Sequence, residues 1–394
     1  MKKRILSLLI LLSAATATMA YNSILAKLVK TDYEGKADSL TKVFIKEFMN
    51  TSKGTFWVTP KGVNSSNTYI YWQQAHAIDV VIYAYQRNLA AGNKTQANLY
   101  KNYVSKWFQN KGNNYSGGST GFENPYTDDM CWIALTLQRM GEVFNNNTYF
   151  STAKKLFDNG IMSRAKEDEK GLWLPWNTDN GSGPNACTLS PACLMAAKLY
   201  MKYGTEKYLD YAKKFYDYMT NHIAKSDGRV EEPPLTYTQG TFGEACRLLY
   251  HITGESKYKM KAGVYINYAF TNERCTHNGL LRHEGTSMDQ SLFKAVLIPY
   301  AVNFCLDEEM QITYRRTLVT ALQKNADGSY TFDFGQNMSG AIRLRAKQPK
   351  RRRRQKKHDS QQKQKQKPKQ KRQRVKRLKR RKELLKRLPK RLSQ

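Results

Sequence analysis

The sequence predicts an all-α fold, a toroid of helical hairpins. Two observations predict it. Apolar residues recur at spacings of three and four along most of the chain. The connections alternate between tight turns and long loops rich in Gly, Asn and Trp. Paired helices with short turns on one face leave the long loops on the other, where a site would be built.

The elements are taken in chain order. Lys2-Lys3-Arg4, the apolar stretch Ile5 to Leu12 and the small residues ending at Thr18-Met19-Ala20 read as a secretory signal cleaved after Ala20. That stretch is too short to span a bilayer. The expected location is therefore outside the cytoplasm, periplasmic or extracellular. No Cys follows the cleavage site, so a lipid anchor is not indicated. No other segment is apolar enough to span. Helices are then expected over Glu34–Asn50, Tyr71–Ala91, Thr95–Gln109, Asp128–Asn145, Tyr149–Ile161 and Ser190–Tyr203. They continue over Glu206–Asn221, Thr238–Ile252, Ser256–Phe270, Asp289–Leu306 and Glu309–Lys324. Gly204 and Gly254 close two of them, because glycine accepts the left-handed conformation at a helix end.

The charge is uneven. The formal charge is +33, but residues from Ala341 onward hold 27 Lys and Arg against two acids, leaving about +8 for the rest. The Lys/Gln/Arg tract of residues 347–394 cannot bury a core and is expected to be disordered. Three readings of it stand side by side. It is a non-native ending, or an arm that contacts polyanions through counterion release, or a basic helix carrying Val375, Leu378, Leu385, Leu388 and Leu392 to anionic membranes. The stretch 328–346 looks strand-like and is set apart as a segment of uncertain origin. The six Cys show no metal spacing and read as buried free thiols, with one oxidised pair as the alternative. No metal or other cofactor is expected.

The richest local string is Phe122-Glu123-Asn124-Pro125-Tyr126-Thr127-Asp128-Asp129-Met130-Cys131-Trp132. Two carboxylates open a helix that is apolar nearly all round, so its N-terminus should face a pocket. Asp in a first helical turn is also ordinary capping. Two like charges side by side split their pKa values, and one ionised plus one protonated carboxylate suits glycosidic cleavage.

These residues, with three further motifs, carry a resemblance. The motifs are Asn185-Ala186-Cys187-Thr188 with Ser190-Pro191-Ala192, Tyr237-Thr238-Gln239-Gly240 and Asp289-Gln290 with Phe293-Lys294. In this order the chain resembles glycoside hydrolase family 76, the α-1,6-mannanases, from about Asp32 to about Asp327. The resemblance implies an (α/α)6 barrel over residues 21–327. Eleven helices are visible where twelve are wanted, so the closing helix is expected to be missing or replaced. It also implies a retaining endo-mannosidase acting on α-1,6-linked mannan, with Asp128 as nucleophile and Asp129 as general acid/base. Trp72, Tyr126, Trp132, Trp173, Trp176 and Tyr237 are candidate sugar platforms or, in part, core aromatics. Asn185, Gln239 and Asp289 are candidate hydroxyl partners or structural polar residues. His76, His251 and His283 read as structural. A monomer is expected. The alternatives are a transglycosylase of the same fold and a non-catalytic glycan- or polyanion-binding protein.

Overall fold

A computed structural model describes residues 33–57, 59–60, 71–111, 117–178, 181–285 and 287–328. The signal sequence, the strand-like stretch beyond residue 328 and the basic tail lie outside the described residues.

Eleven α-helices are present among them, as the periodicity predicts. They are α1 (Tyr33–Phe48), α2 (Tyr71–Ala90), α3 (Lys94–Gln109), α4 (Thr127–Phe144), α5 (Asn147–Lys155) and α6 (Ala186–Tyr203). After them come α7 (Glu206–Tyr218), α8 (Thr236–Thr253), α9 (Ser256–Thr271), α10 (Met288–Leu306) and α11 (Ile312–Gly328). Two outer helices, α5 and α7, run on into π-helical turns at Leu156–Ile161 and Met219–Ile223. None of the described helices is long and apolar enough to cross a membrane.

The even-numbered helices α2, α4, α6, α8 and α10 form the inner ring. Their burial explains their composition. In α4, Met130 through Leu135 are all buried, so the helix is apolar on every face rather than on one stripe. The outer helices keep one buried stripe, as with Ala97, Tyr100, Val104 and Trp107 of α3. Close approach in the inner ring needs glycine at one point. A Cβ on Gly240 of α8 would sit 2.9 Å from the Leu297 Cα of α10.

Every inner helix runs from the long-loop face to the short-turn face. Turns of two to five residues follow its C-terminus, and left-handed Asn145, Gly204 and Gly254 stop three of them. Three small antiparallel hairpins occupy the long connections: β1 (Met49–Asn50) with β2 (Thr55–Phe56), β3 (Lys166–Asp168) with β4 (Gly171–Trp173), and β5 (Thr276–His277) with β6 (Leu280–Leu281).

The position of a twelfth helix falls after residue 328, outside the described residues. The ends of the described ring already touch. Tyr33, Ala37 and Leu40 of α1 pack with Ala326 of α11. On the inner side the Trp72 ring of α2 lies 6.2 Å from Phe293 of α10.

Below the long-loop half, the inner ring carries buried charge. Asp79 of α2 pairs with Arg139 of α4 and accepts Thr136 Oγ1 at 3.2 Å. Glu244 of α8 accepts Arg247 Nε and Nη2 at 2.7 and 2.8 Å, and Asn303 of α10 donates to it at 3.0 Å. Arg247 also reaches Asp307 at 2.7 Å, in the turn between α10 and α11.

Candidate active site

The site is built where α4 begins. Thr127 is the first helical residue, and its neighbours Asp128 and Asp129 complete the first turn. Tyr126, at the N-cap, offers no side-chain cap. The incoming chain is held instead by the loop after β4: Thr127 N donates to Trp176 O at 2.9 Å and Thr178 N to Pro125 O at 3.2 Å. Arg164 pins the same segment. Its guanidinium donates to Asn124 O at 2.5 Å, Pro125 O at 3.0 Å and Thr127 Oγ1 at 3.3 Å. It stands just past the π turn that ends α5.

The two carboxyls face different surroundings. Asp129 is buried and accepts Asn124 Nδ2 at 3.3 Å. Burial, then the charges of Asp128 and Asp289, hold its carboxyl well above the usual range. Asp128 keeps some exposed surface, yet its Oδ1 is closed off from solvent with no well-aligned donor. Burial pushes its carboxyl up to about 6; the Asp129 amide, the Trp176 indole and the Cys187 thiol pull the other way, toward the anion. Asp128 therefore ionises first and Asp129 keeps the proton.

Asp129 looks toward α2 and α10. There Asp289 accepts Trp72 Nε1 at 2.8 Å and also the Gln73 amide. Asp128 looks toward α6 and α8, where the Tyr237 hydroxyl meets the Cys187 thiol. Between them lies an aromatic floor. Tyr237 stacks on Phe293 at 4.2 Å, Trp132 lies 6.2 Å from Tyr237, and His76 sits 5.4 Å from Trp72 and 5.2 Å from Trp132. Burial drives His76 down to about 3, so it is neutral. Tyr126 and Trp176 meet edge to face at 5.2 Å beside Asp128.

The structure thus brings Trp72, Tyr126, Trp132, Trp176, Tyr237 and Asp289 together around the carboxyl pair. Trp132 is only 2% exposed and serves as floor. Asn185 lies close by as the N-cap of α6, its Oδ1 taking Thr188 N at 3.0 Å and the Cys187 thiol at 3.1 Å. Trp173 stands on the β3–β4 hairpin and donates to Asp168 at 2.9 Å. Gln239 does not reach the cavity. It is fully buried, and its amide donates to Gly228 O and Tyr265 O, both at 2.9 Å, while accepting Val230 N.

Several neighbours escaped the sequence reading: Asn124, Arg164, Phe293, Glu231 and Glu284. Phe293 stood in a quoted motif, and Glu231 opens a Glu-Glu-Pro-Pro loop just before another. His76 was read as structural, and its ring belongs to the floor. All six Cys are free thiols, all buried except Cys187, which is partly exposed.

Arg164 makes a direct prediction. Arg164→Ala should lower kcat by about 10- to 100-fold with a smaller change in KM, because the segment that leads from Asn124 into the carboxyl pair loses its anchor. Arg164→Lys restores the charge but not the fork, and should recover only part. Steady-state rates within twofold of the unmutated chain in both variants would sink this role.

Comparison with known proteins agrees with this architecture. The family profile described as glycosyl hydrolase family 76 matches residues 35–343. It runs past the point where the sequence reading set residue 328 and its successors apart. Among solved structures, the GH76A α-1,6-mannanase of Salegentibacter sp. HEL1_6 aligns with a TM-score of 0.69 at 24% identity, over 80% of this chain and 98% of that one. An inactive variant of that enzyme, with two adjacent aspartates replaced, is known in complex with α-1,6-mannotetrose; it aligns with a TM-score of 0.69 at 23% identity, over 80% of this chain and 98% of that one. Bt3792 of Bacteroides thetaiotaomicron VPI-5482, described as a family 76 mannosidase, aligns with a TM-score of 0.63 at 18% identity, over 80% and 98%. Comparison with curated proteins finds no match.

Proposed function

The chain belongs to glycosyl hydrolase family 76, and on that premise we propose that it cleaves α-1,6-mannan backbones internally, with retention at the anomeric carbon. It is a glycoside hydrolase with the helical toroid of its relatives. The observation that carries the finer reading is the unequal setting of Asp128 and Asp129. Asp128 ionises more readily and stands in the first turn of α4, where the helix dipole favours an anion. It attacks the anomeric carbon and forms the mannosyl-enzyme. Asp129 retains its proton, delivers it to the departing glycosidic oxygen, then takes a proton from the water that releases the sugar.

The other residues take binding roles in this reading. Trp72, Tyr126, Trp176 and Tyr237 supply apolar ring surface for sugar faces. Asp289, steered by Trp72 and Gln73, accepts hydrogen bonds from sugar hydroxyls. A relative whose adjacent aspartates were replaced to inactivate it, and which holds α-1,6-mannotetrose, supports both the pair and the substrate class. The reading includes export, on the signal-type N-terminus of residues 1–20, and a monomeric enzyme.

The test is product analysis on debranched α-1,6-mannan. Expected are internal cuts that release a ladder of oligosaccharides, with the α anomer formed first by NMR. Mannose alone, or the β anomer first, would overturn the endo-acting or the retaining part. The pH profile adds a second check. Asp128 must be ionised to attack, so kcat/KM should rise as pH climbs through about 6, and fall at higher pH as Asp129 loses its proton.

A further inference from the structure

We propose that Glu231 is a sugar-binding residue of this site, accepting a hydroxyl of the glycosyl unit that lies against Tyr237. The proposal rests on the α-1,6-mannanase reading above.

Glu231 lies in the loop of residues 224–235 that enters α8, on the long-loop face. Thr238 Oγ1, in the first turn of α8, donates to Glu231 Oε1 at 2.5 Å. That bond fixes the carboxyl at the rim instead of letting it swing into water. The Glu231 charge acts on the Tyr237 hydroxyl and the Cys187 thiol, and the Asp128 charge acts on the same two groups. Both carboxyls therefore lie within electrostatic reach of the same two groups.

Its neighbour Glu232 provides the contrast. Glu232 pairs with Arg229 and Arg274, as an ordinary surface carboxylate does. Glu231 makes no ion pair among the described residues, and the charge that acts on it is a second carboxyl, Glu284. Glu284 is committed to the fold, taking Thr236 N at 2.7 Å and Thr236 Oγ1 at 2.5 Å at the start of α8. Glu231 has no such commitment beyond Thr238. Burial pushes it up to about 7. A half-buried carboxyl without a cation costs stability, and a fold that needed only the Thr238 contact would be served by an amide. One oxygen held by Thr238 leaves the second for a ligand donor. A sugar hydroxyl is such a donor, and the Tyr237 ring beside it supplies the apolar surface on which a sugar face rests.

The experiment compares the unmutated chain with Glu231→Ala and Glu231→Gln on α-1,6-mannotetraose, with Tm measured for each. In parallel, calorimetry measures α-1,6-mannotriose binding to Asp128→Asn with and without Glu231→Ala. Glu231→Ala should lower kcat/KM by about 10- to 100-fold, weaken mannotriose binding by a similar factor, and leave Tm unchanged or raised. Glu231→Gln should fall between. Rates within twofold of the unmutated chain in the Ala variant overturn the proposal, as does a rate loss that mannotriose binding does not share. An unmutated chain that is inactive on α-1,6-mannan overturns the mannanase reading and this proposal with it, so the two failures are told apart.

Discussion

Asp128→Asn and Asp129→Asn are each expected to cut kcat on α-1,6-mannan by about a thousandfold or more, since general acid–base help alone is worth about 10²–10⁴. The two variants should differ in kind. Asp129→Asn leaves the nucleophile in place, so a substrate with a good leaving group that needs no proton should regain the first step. Asp128→Asn has no nucleophile and should regain nothing. Equal rescue of both variants, by initial rates on an activated aryl mannoside, would sink the assignment. Stability should move the other way. The Asp128 carboxyl titrates at about 6 in the folded chain, above its ordinary value near 4. The folded state therefore holds a proton that the unfolded state has lost, and stability falls as pH rises between these values. Asp128→Asn removes that loss. Its Tm should exceed that of the unmutated chain at pH 7, on the order of 2 kcal/mol in stability, and match it at pH 4.

Asp79→Ala is expected to be the most damaging change outside the site. Asp79 is buried, and its partner Arg139 lies inside the ring with its guanidinium also near Tyr83. Removing the carboxylate strands a buried cation, which costs about 3–5 kcal/mol. Thr136 loses its acceptor as well. The double variant Asp79→Leu with Arg139→Met should recover much of the loss, because a well-packed apolar pair avoids the desolvation of both ions. Chemical denaturation of the single and double variants measures this. A single variant within 1 kcal/mol of the unmutated chain would mean that water reaches the pair.

The helices were legible because their burial is periodic along the chain. The carboxyl pair was legible because its members are adjacent. What escaped depends on contacts between distant residues. The sequence suggested that α6 starts at Ser190; it starts at Ala186, because the Asn185 side chain caps Thr188 N. For α8 the sequence suggested Thr238, but the helix opens at Thr236, whose amide is capped by Glu284 from another loop. No local pattern reveals a cap supplied from so far along the chain. The hairpins have strands of two or three residues, too short for alternation to register. Gln239 was open between a sugar ligand and a structural polar residue, and its amide donates to the backbone carbonyls of Gly228 and Tyr265. Glu231 gave no signal at all, since it sits beside the ion-paired surface acid Glu232 in a loop without periodicity.

The shared direction of the inner helices has an electrical consequence. All five begin on the long-loop face, so each presents the positive end of its dipole to the same opening. The ring is in effect a bundle of aligned dipoles with its positive pole at the mouth. Asp128 and Asp129 stand at the start of α4, Asp289 at the start of α10, and Glu284 against the first amide of α8. A crowd of acids that would repel one another on a flat surface is tolerated there. The same field attenuates within a turn, so a carboxylate moved one turn deeper into the ring would lose that support and demand a cation of its own, as Asp79 does.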